Sequence, residues 1–178
     1  MSIWRRISAG SDVPNTVNVI VEIPKGSQNK YEFDDDLTYI KLDRVLFSPF
    51  HYPGDYGIIP QTLAEDGGFL DALVLVTNPS YPGIVLEVRP IGLLELNDQG
   101  KIDDKVLCVP HKDPRFSKTK SIEDLESHYL KETAHFFEVY KGLEGKKVEV
   151  LGWRNIEEAK ATILKAVELY RERASKRK

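Results

Sequence analysis

The 178-residue chain holds one cysteine, one methionine, two tryptophans and four histidines, and each scarcity removes a class of function. The single thiol, Cys108, has no internal disulfide partner and no CxxC neighbour, so a disulfide scaffold is excluded and a core thiol in a reducing compartment is expected. His51, His111, His128 and His135 fall at no HExxH or Cys/His zinc spacing, which leaves them scattered structural roles. A GxxxxGK[ST] phosphate loop and a GxSxG nucleophile elbow are both missing. No uninterrupted apolar run approaches the roughly 20 residues that span a bilayer. Arg5 and Arg6 are not followed by the apolar segment of an export signal, so a soluble, cytoplasmic protein is expected. Positive charge is not in excess either. With 25 Lys and Arg against 28 Asp and Glu the net charge is -3, which argues against a nucleic-acid or membrane partner. Any anion site must then be a local cluster of cations.

What is present suffices for one sizeable core, since 41% of the residues are apolar. With no linker-like stretch, a single domain over residues 1–178 is expected, with residues 1–14 and 171–178 peripheral. The β-branched run at 17–23 stops at Pro24 and reads as a strand. Residues 30–33 and 39–42 alternate polar and apolar, as strands do. That alternation puts Lys30 and Glu32 on one face, either as a surface ion pair or as the lining of a polar cavity. Residues 84–88, 91–96, 106–109 and 147–151 read as further strands, with Pro90 marking an edge or a bulge. Helical periodicity comes late. Ser121 with Asp124 has the capping-box spacing, followed by Leu130, Ala134 and Phe137 on a helix running toward Leu143. Asn155 with Glu158 is a second such pair, opening a last helix with the stripe Ala159, Ile163, Ala166, Val167 and Tyr170. Strands first and helices after them predict an α+β, β-dominated fold with a closed or highly curved sheet.

The chemistry concentrates around Glu65-Asp66-Gly67-Gly68-Phe69-Leu70-Asp71, which leads into the apolar run 72–76. Carboxylates at the mouth of a buried strand, on a backbone that glycine lets bend, make a seat for a hard divalent cation; a solvated turn is the alternative. A second acidic loop, Asn97-Asp98-Gln99-Gly100-Lys101-Ile102-Asp103-Asp104-Lys105, is also bounded by strands, and a hairpin turn is its alternative. Tyr52 and Tyr56, pinned by Pro53 and two glycines, either pack as an aromatic turn or offer their hydroxyls. If the loops converge, Asp66, Asp71, Asp98 and Asp103 form a cluster that needs divalent ions to relieve its repulsion. Lys30, Arg44, Lys105 and Lys141, with the hydroxyls of Tyr52, Tyr56 and Tyr140, would surround it. Carboxylate-held metal ringed by cations suits a small, highly charged phosphate, because metal-bound water loses its proton near pH 7 and cations stabilise a departing phosphate.

In order along the chain, Val21-Glu22-Ile23-Pro24, Asn29-Lys30-Tyr31-Glu32, Leu42-Asp43-Arg44, Tyr52-Pro53-Gly54-Asp55-Tyr56-Gly57, the two acidic loops, His135-Phe136-Phe137-Glu138-Val139-Tyr140-Lys141 and Gly152-Trp153 resemble the soluble family I inorganic pyrophosphatases of prokaryotic type. The resemblance implies a small closed OB-like β-barrel with two C-terminal helices packed outside, a cytoplasmic homohexamer, and hydrolysis of inorganic pyrophosphate. It implies several Mg²⁺ ions per site, with Mn²⁺ or Zn²⁺ as substitutes, on Asp66, Asp71 and Asp103, with Asp98 sharing one and Glu22 binding another through water. It places Lys30, Arg44, Tyr56, Lys105, Tyr140 and Lys141 on the phosphates, with Tyr56, Lys30 and Arg44 in catalytic roles. The family signature Asp-x-Asp-Pro-x-Asp is broken here by Gly68 and Phe69. The carboxylate that would serve as general base is therefore missing, and a weakened hydrolase is expected. The alternatives are a catalytically impaired relative that binds pyrophosphate or metal and, less favoured, a nucleic-acid-binding OB-like barrel.

Overall fold

Strand β1 (Val17–Ile23) pairs antiparallel with β4 (Asp55–Ile59) on one side and with β6 (Val85–Asp98) on the other. β4 pairs antiparallel with β5 (Leu70–Val74), β5 runs parallel to β8 (Lys105–Pro110), and β8 returns antiparallel to β6. These pairings close a ring in the order β1-β4-β5-β8-β6 and back to β1. The far half of β6 also carries the short β7 (Lys101–Ile102) and β9 (Val148–Arg154). The structure is a computed structural model, and the residues it describes are 3–34 and 38–176. The outermost parts of the expected peripheral segments, residues 1–2 and 177–178, lie outside the described residues.

β6 is a single 14-residue strand where the sequence suggests two. The break read at Pro90 is a register shift between Pro90 and Gly92 against β8. Proline has no N–H to give the ladder, so the bulge falls where a donor is missing and lets the long strand bend with the ring. The hairpin of β2 (Asn29–Phe33) and β3 (Ile40–Val45) forms a separate two-stranded sheet in which Lys30 is the cross-strand partner of Arg44. β3 begins one residue after Tyr39 and continues to Val45, so Arg44 sits on the strand.

Alternation sorts the buried residues of β5, its continuation Leu75, and β8 onto two faces. Ala72, Val74, Val106 and Cys108 join one cluster, against Ala159, Ile163, Ala166 and Val167 of helix α2 (Ile156–Ser175). Leu73, Leu75, Leu107 and Val109 join another, with Phe136, Phe137 and Tyr140 at the end of helix α1 (Ser127–Val139). Burying both faces explains why these strands read as unbroken apolar runs. Asn155 accepts from Glu158 N and caps α2 as expected. Ser121 and Asp124 do form a capping box, but it opens a short 3-10 turn, Ile122–Asp124; α1 starts three residues later with no side-chain cap. Leu125, extended after the turn, breaks what the sequence pattern presents as one helix start. α1 stops at Val139, short of Leu143, which lies in a further 3-10 turn, Gly142–Glu144.

Candidate active site

The acidic loop delivers its second carboxylate onto the sheet. Asp71 is the second residue of β5, in register with Lys105, the first residue of β8. Both lie on the strand face that farther along carries Leu73 and Leu107, so the charged pair sits at the rim of the aromatic cluster under α1. Lys105 Nζ donates to Asp71 Oδ2 at 2.6 Å and also to Asp103. The Lys105 side chain is only 3% exposed. Burial pulls its pKa down, but the charges of Asp71 and Asp103 outweigh it and hold the lysine above its ordinary value.

Tyr56, on β4 beside β5, donates its hydroxyl to the same Asp71 Oδ2 at 2.5 Å. Burial, with the nearby Asp71 charge, keeps this phenol protonated well above its usual range, so it acts as a donor. Tyr52 takes the other reading offered by the sequence: its ring packs against Tyr56, Phe136 and Tyr140 at centroid distances of 5.5, 4.9 and 6.5 Å. Tyr140 stacks on Phe136, and the ammonium of Lys141 lies 5.3 Å from the Tyr140 ring centre. Lys141 Nζ donates to Asp98 Oδ2 at 2.5 Å. Burial works against ionising Asp98, yet the hydrogen bond from Lys141 prevails and lowers its pKa.

The second acidic loop forms the hairpin turn offered as its alternative reading. Asp98 ends β6 and pairs with Lys101 in a β6–β7 hairpin turned by Gln99 and Gly100, both at positive φ. Asp103 leaves that hairpin with its N–H on Leu96 O at 3.0 Å. Asp66, Asp71 and Asp103 line one cavity of about 150 Å³, together with Asp104 and the α2 residues Thr162, Lys165 and Ala166. Asp66 Oδ1 accepts from Gly68 N at 2.9 Å, so the first loop is also a turn. Among the described residues, no three His, Cys, Asp or Glu side chains are set closely enough to hold a metal ion as they stand. Lys105 stands between Asp71 and Asp103 and bonds to both.

Glu22 does not line the cavity shared by Asp66, Asp71 and Asp103. It is buried on β1, where Oε1 accepts from Phe33 N at 2.8 Å. Burial, and then the charge of Asp71, raises its pKa from 4.5 to about 8. On the separate hairpin, Lys30 pairs with Glu32 and lies 3.6 Å from Asp43, a partly buried ion pair with Lys30 15% exposed rather than a surface one. Arg44 donates to Asp43 and, through Nε at 2.8 Å, to Glu144. Sequence reasoning missed Glu144 and Asp55. Asp55, fully buried, accepts from Lys25 N, Ser80 N and Ser80 Oγ at 2.8, 3.1 and 2.6 Å and ties two loops together. Their cues are slight: an Asp inside the Pro53–Tyr56 turn and a Glu just before Gly145.

Residues 19–171 match the family model described as inorganic pyrophosphatase. The chain belongs to the family I inorganic pyrophosphatases. An inorganic pyrophosphatase of Synechocystis is 51% identical over 155 residues, 87% of this chain and 92% of the relative. One from Picrophilus torridus is 44% identical over 171 residues, 96% of this chain and 97% of the relative. The crystal structure of inorganic pyrophosphatase from Thermus thermophilus superposes with a TM-score of 0.90 at 46% identity, covering 93% of this chain and 97% of that one. Membership spans the ring, the hairpin and both helices, so the ordered motifs read from the sequence lie on the family's own framework. Among the described residues, no helix is long and apolar enough to cross a membrane.

Proposed function

We propose that the chain hydrolyses inorganic pyrophosphate to two phosphates in this pocket, as a cytoplasmic homohexamer, with Mg²⁺ held by Asp66, Asp71, Asp103 and Asp98 and, through water, by Glu22. The donor chemistry fits. Every candidate ligand is a carboxylate, the hard oxygen donor that magnesium takes in preference to nitrogen or sulfur. Asp104, lining the same cavity, has a buried Oδ1 with no hydrogen-bond partner. Magnesium there would neutralise the carboxylates and acidify a water, with Mn²⁺, which the same oxygen donors suit, or Zn²⁺ as substitutes.

The observation that carries the reading is Lys105 set between Asp71 and Asp103 with Tyr56 on the same Asp71 oxygen. Anionic and cationic groups alternate at one strand end, as binding metal and phosphate together requires. Lys30 and Arg44, neighbours across the β2–β3 hairpin, present two cations to one phosphate; the Arg44 η-nitrogens can take it bidentately in place of Asp43. Lys105 and Lys141 offset charge that grows on the departing phosphate, and the Tyr140 hydroxyl can donate to it; Tyr56 could do so only by turning its proton away from Asp71. Tyr56, protonated throughout, holds its proton toward Asp71 and orients that carboxylate.

Position 68 offers no carboxylate to take the proton of the attacking water. Loss of a general base removes about 10²- to 10⁴-fold of rate, so slow turnover is the expectation. Phosphate release from pyrophosphate, measured with magnesium and with EDTA, tests the reading. Release that needs the metal supports it. Pyrophosphate binding without release favours an impaired binding relative, the second reading that Gly68 motivates.

A further inference from the structure

The cation-bearing hairpin is a two-stranded sheet of its own, and the bond from Phe33 N to Glu22 Oε1 ties it to β1 at the Phe33–Ile40 end of its ladder, away from Arg44. Something must therefore fix where Arg44 stands relative to Lys105 and Lys141. The contact that does so reaches across 100 residues of sequence: Arg44 Nε donates to Glu144 Oε1 at 2.8 Å. The Glu144 side chain is 5% exposed, whereas the Arg44 side chain keeps 22%. A carboxylate buried to that degree is kept only where it is paired. Its partners are Arg44 and, at 3.5 Å, Lys146.

The segment presenting Glu144 begins at Lys141. Glu144 N and Lys146 N both donate to Lys141 O, at 3.0 and 3.3 Å, and Gly145 closes the turn at φ 72, a left-handed conformation that glycine adopts without cost. One tight turn thus carries a proposed phosphate-binding cation at its start and the anchor of another at its end. We infer that Glu144 is a positioning residue: it latches the β2–β3 hairpin to the turn after α1 by gripping the ε edge of Arg44, leaving the η edge to meet substrate phosphate. Ser48 Oγ, which donates to Tyr140 O at 3.4 Å, is a weaker second tie between the same two segments.

The inference rests on the reading of Arg44 as a phosphate ligand, and its test separates the two. With pyrophosphate and magnesium, Glu144→Gln raises KM severalfold and Glu144→Ala about tenfold, the size of one charge-assisted hydrogen bond, while kcat changes by less than about threefold. If Glu144 acts through Arg44, adding Glu144→Ala to Arg44→Ala changes nothing further. An unaltered KM in both single variants, or a full additive effect in the double variant, overturns it. Hydrogen exchange reads the latch without catalysis. In Glu144→Ala the amides of residues 40–45 exchange faster while those of β5 and β8 do not, and equal protection of the hairpin overturns the latch. A chain that releases no phosphate defeats the hydrolase reading, and the exchange comparison then decides the latch alone.

Discussion

Lys105 and Asp71 face each other across the parallel β5–β8 pair, Nζ 2.6 Å from Oδ2, on strands whose register puts the two residues directly side by side. The lysine is almost wholly buried, while Asp71 and Asp103 retain 23% and 21% exposure. The cation therefore balances two carboxylates that only partly reach solvent.

Lys105→Met should destabilise the metal-free protein by about 3 kcal/mol, the low end of the cost of breaking a buried pair, because both aspartates keep some water. Urea unfolding in EDTA measures this. Magnesium should recover part of the loss and raise the melting temperature more in the variant than in the parent, since it then meets two uncompensated carboxylates. Equal magnesium shifts in the two proteins would count against metal at Asp71 and Asp103.

Gly68→Asp should raise kcat by about 10²-fold or more if the missing base limits the rate. A Cβ at this position meets nothing closer than Asp66 Oδ1 at 3.4 Å, so the fold accepts the change. Phe69→Pro is a poorer companion. Phe69 packs with Trp4, Ile7 and Phe33 against Ile20 and Ile58, and replacing it should lower the melting temperature by several degrees. Phosphate release by the single variant, beside its melting curve, separates catalysis from stability.

Glu22 gives a pH signature. Its carboxyl, raised from 4.5 to about 8 by burial, keeps a proton in the folded state that the unfolded chain has lost. The folded state binds more protons between those values, so this stability is fully present below about pH 4.5 and disappears as pH rises through about 8. Melting temperatures in EDTA should fall over that window, and Glu22→Gln should flatten the fall. Magnesium binding at pH 7 should release a proton if Glu22 serves it, seen as a buffer-dependent heat in calorimetry.

Asp55→Ala should cost about 3 kcal/mol, because it strands the N–H groups of Lys25 and Ser80 in the interior. Thermal unfolding checks this. A near-neutral outcome would mean that water replaces the carboxylate.

The sequence made legible those residues whose neighbours leave one conformation open. Val and Ile at 17–23 admit little but a strand, Pro90 forces an irregularity wherever a strand passes, and Asn155 with Glu158 fixes a helix start. Alternation places Lys30 and Glu32 on one face but leaves open whether they pair or line a cavity. Ser121 misled because a capping box is a local hydrogen-bond pattern that a 3-10 turn satisfies as well as an α-helix. Glu144 and Asp55 were hidden for a different reason. Their partners lie 100 and 30 or 25 residues away, and no spacing rule reaches so far. Likewise the register joining Asp71 to Lys105 depends on closing the ring, a property of all its strands together.

That closure bears on the chain as it leaves the ribosome. Asp71 emerges 34 residues before the lysine that will neutralise it, and β8 can seat itself only once β6 has crossed between them in the sequence. A nascent fragment ending before residue 105 therefore carries the acidic loop without its counter-charge, and the cavity gains its last wall only when α2 has followed β8 out.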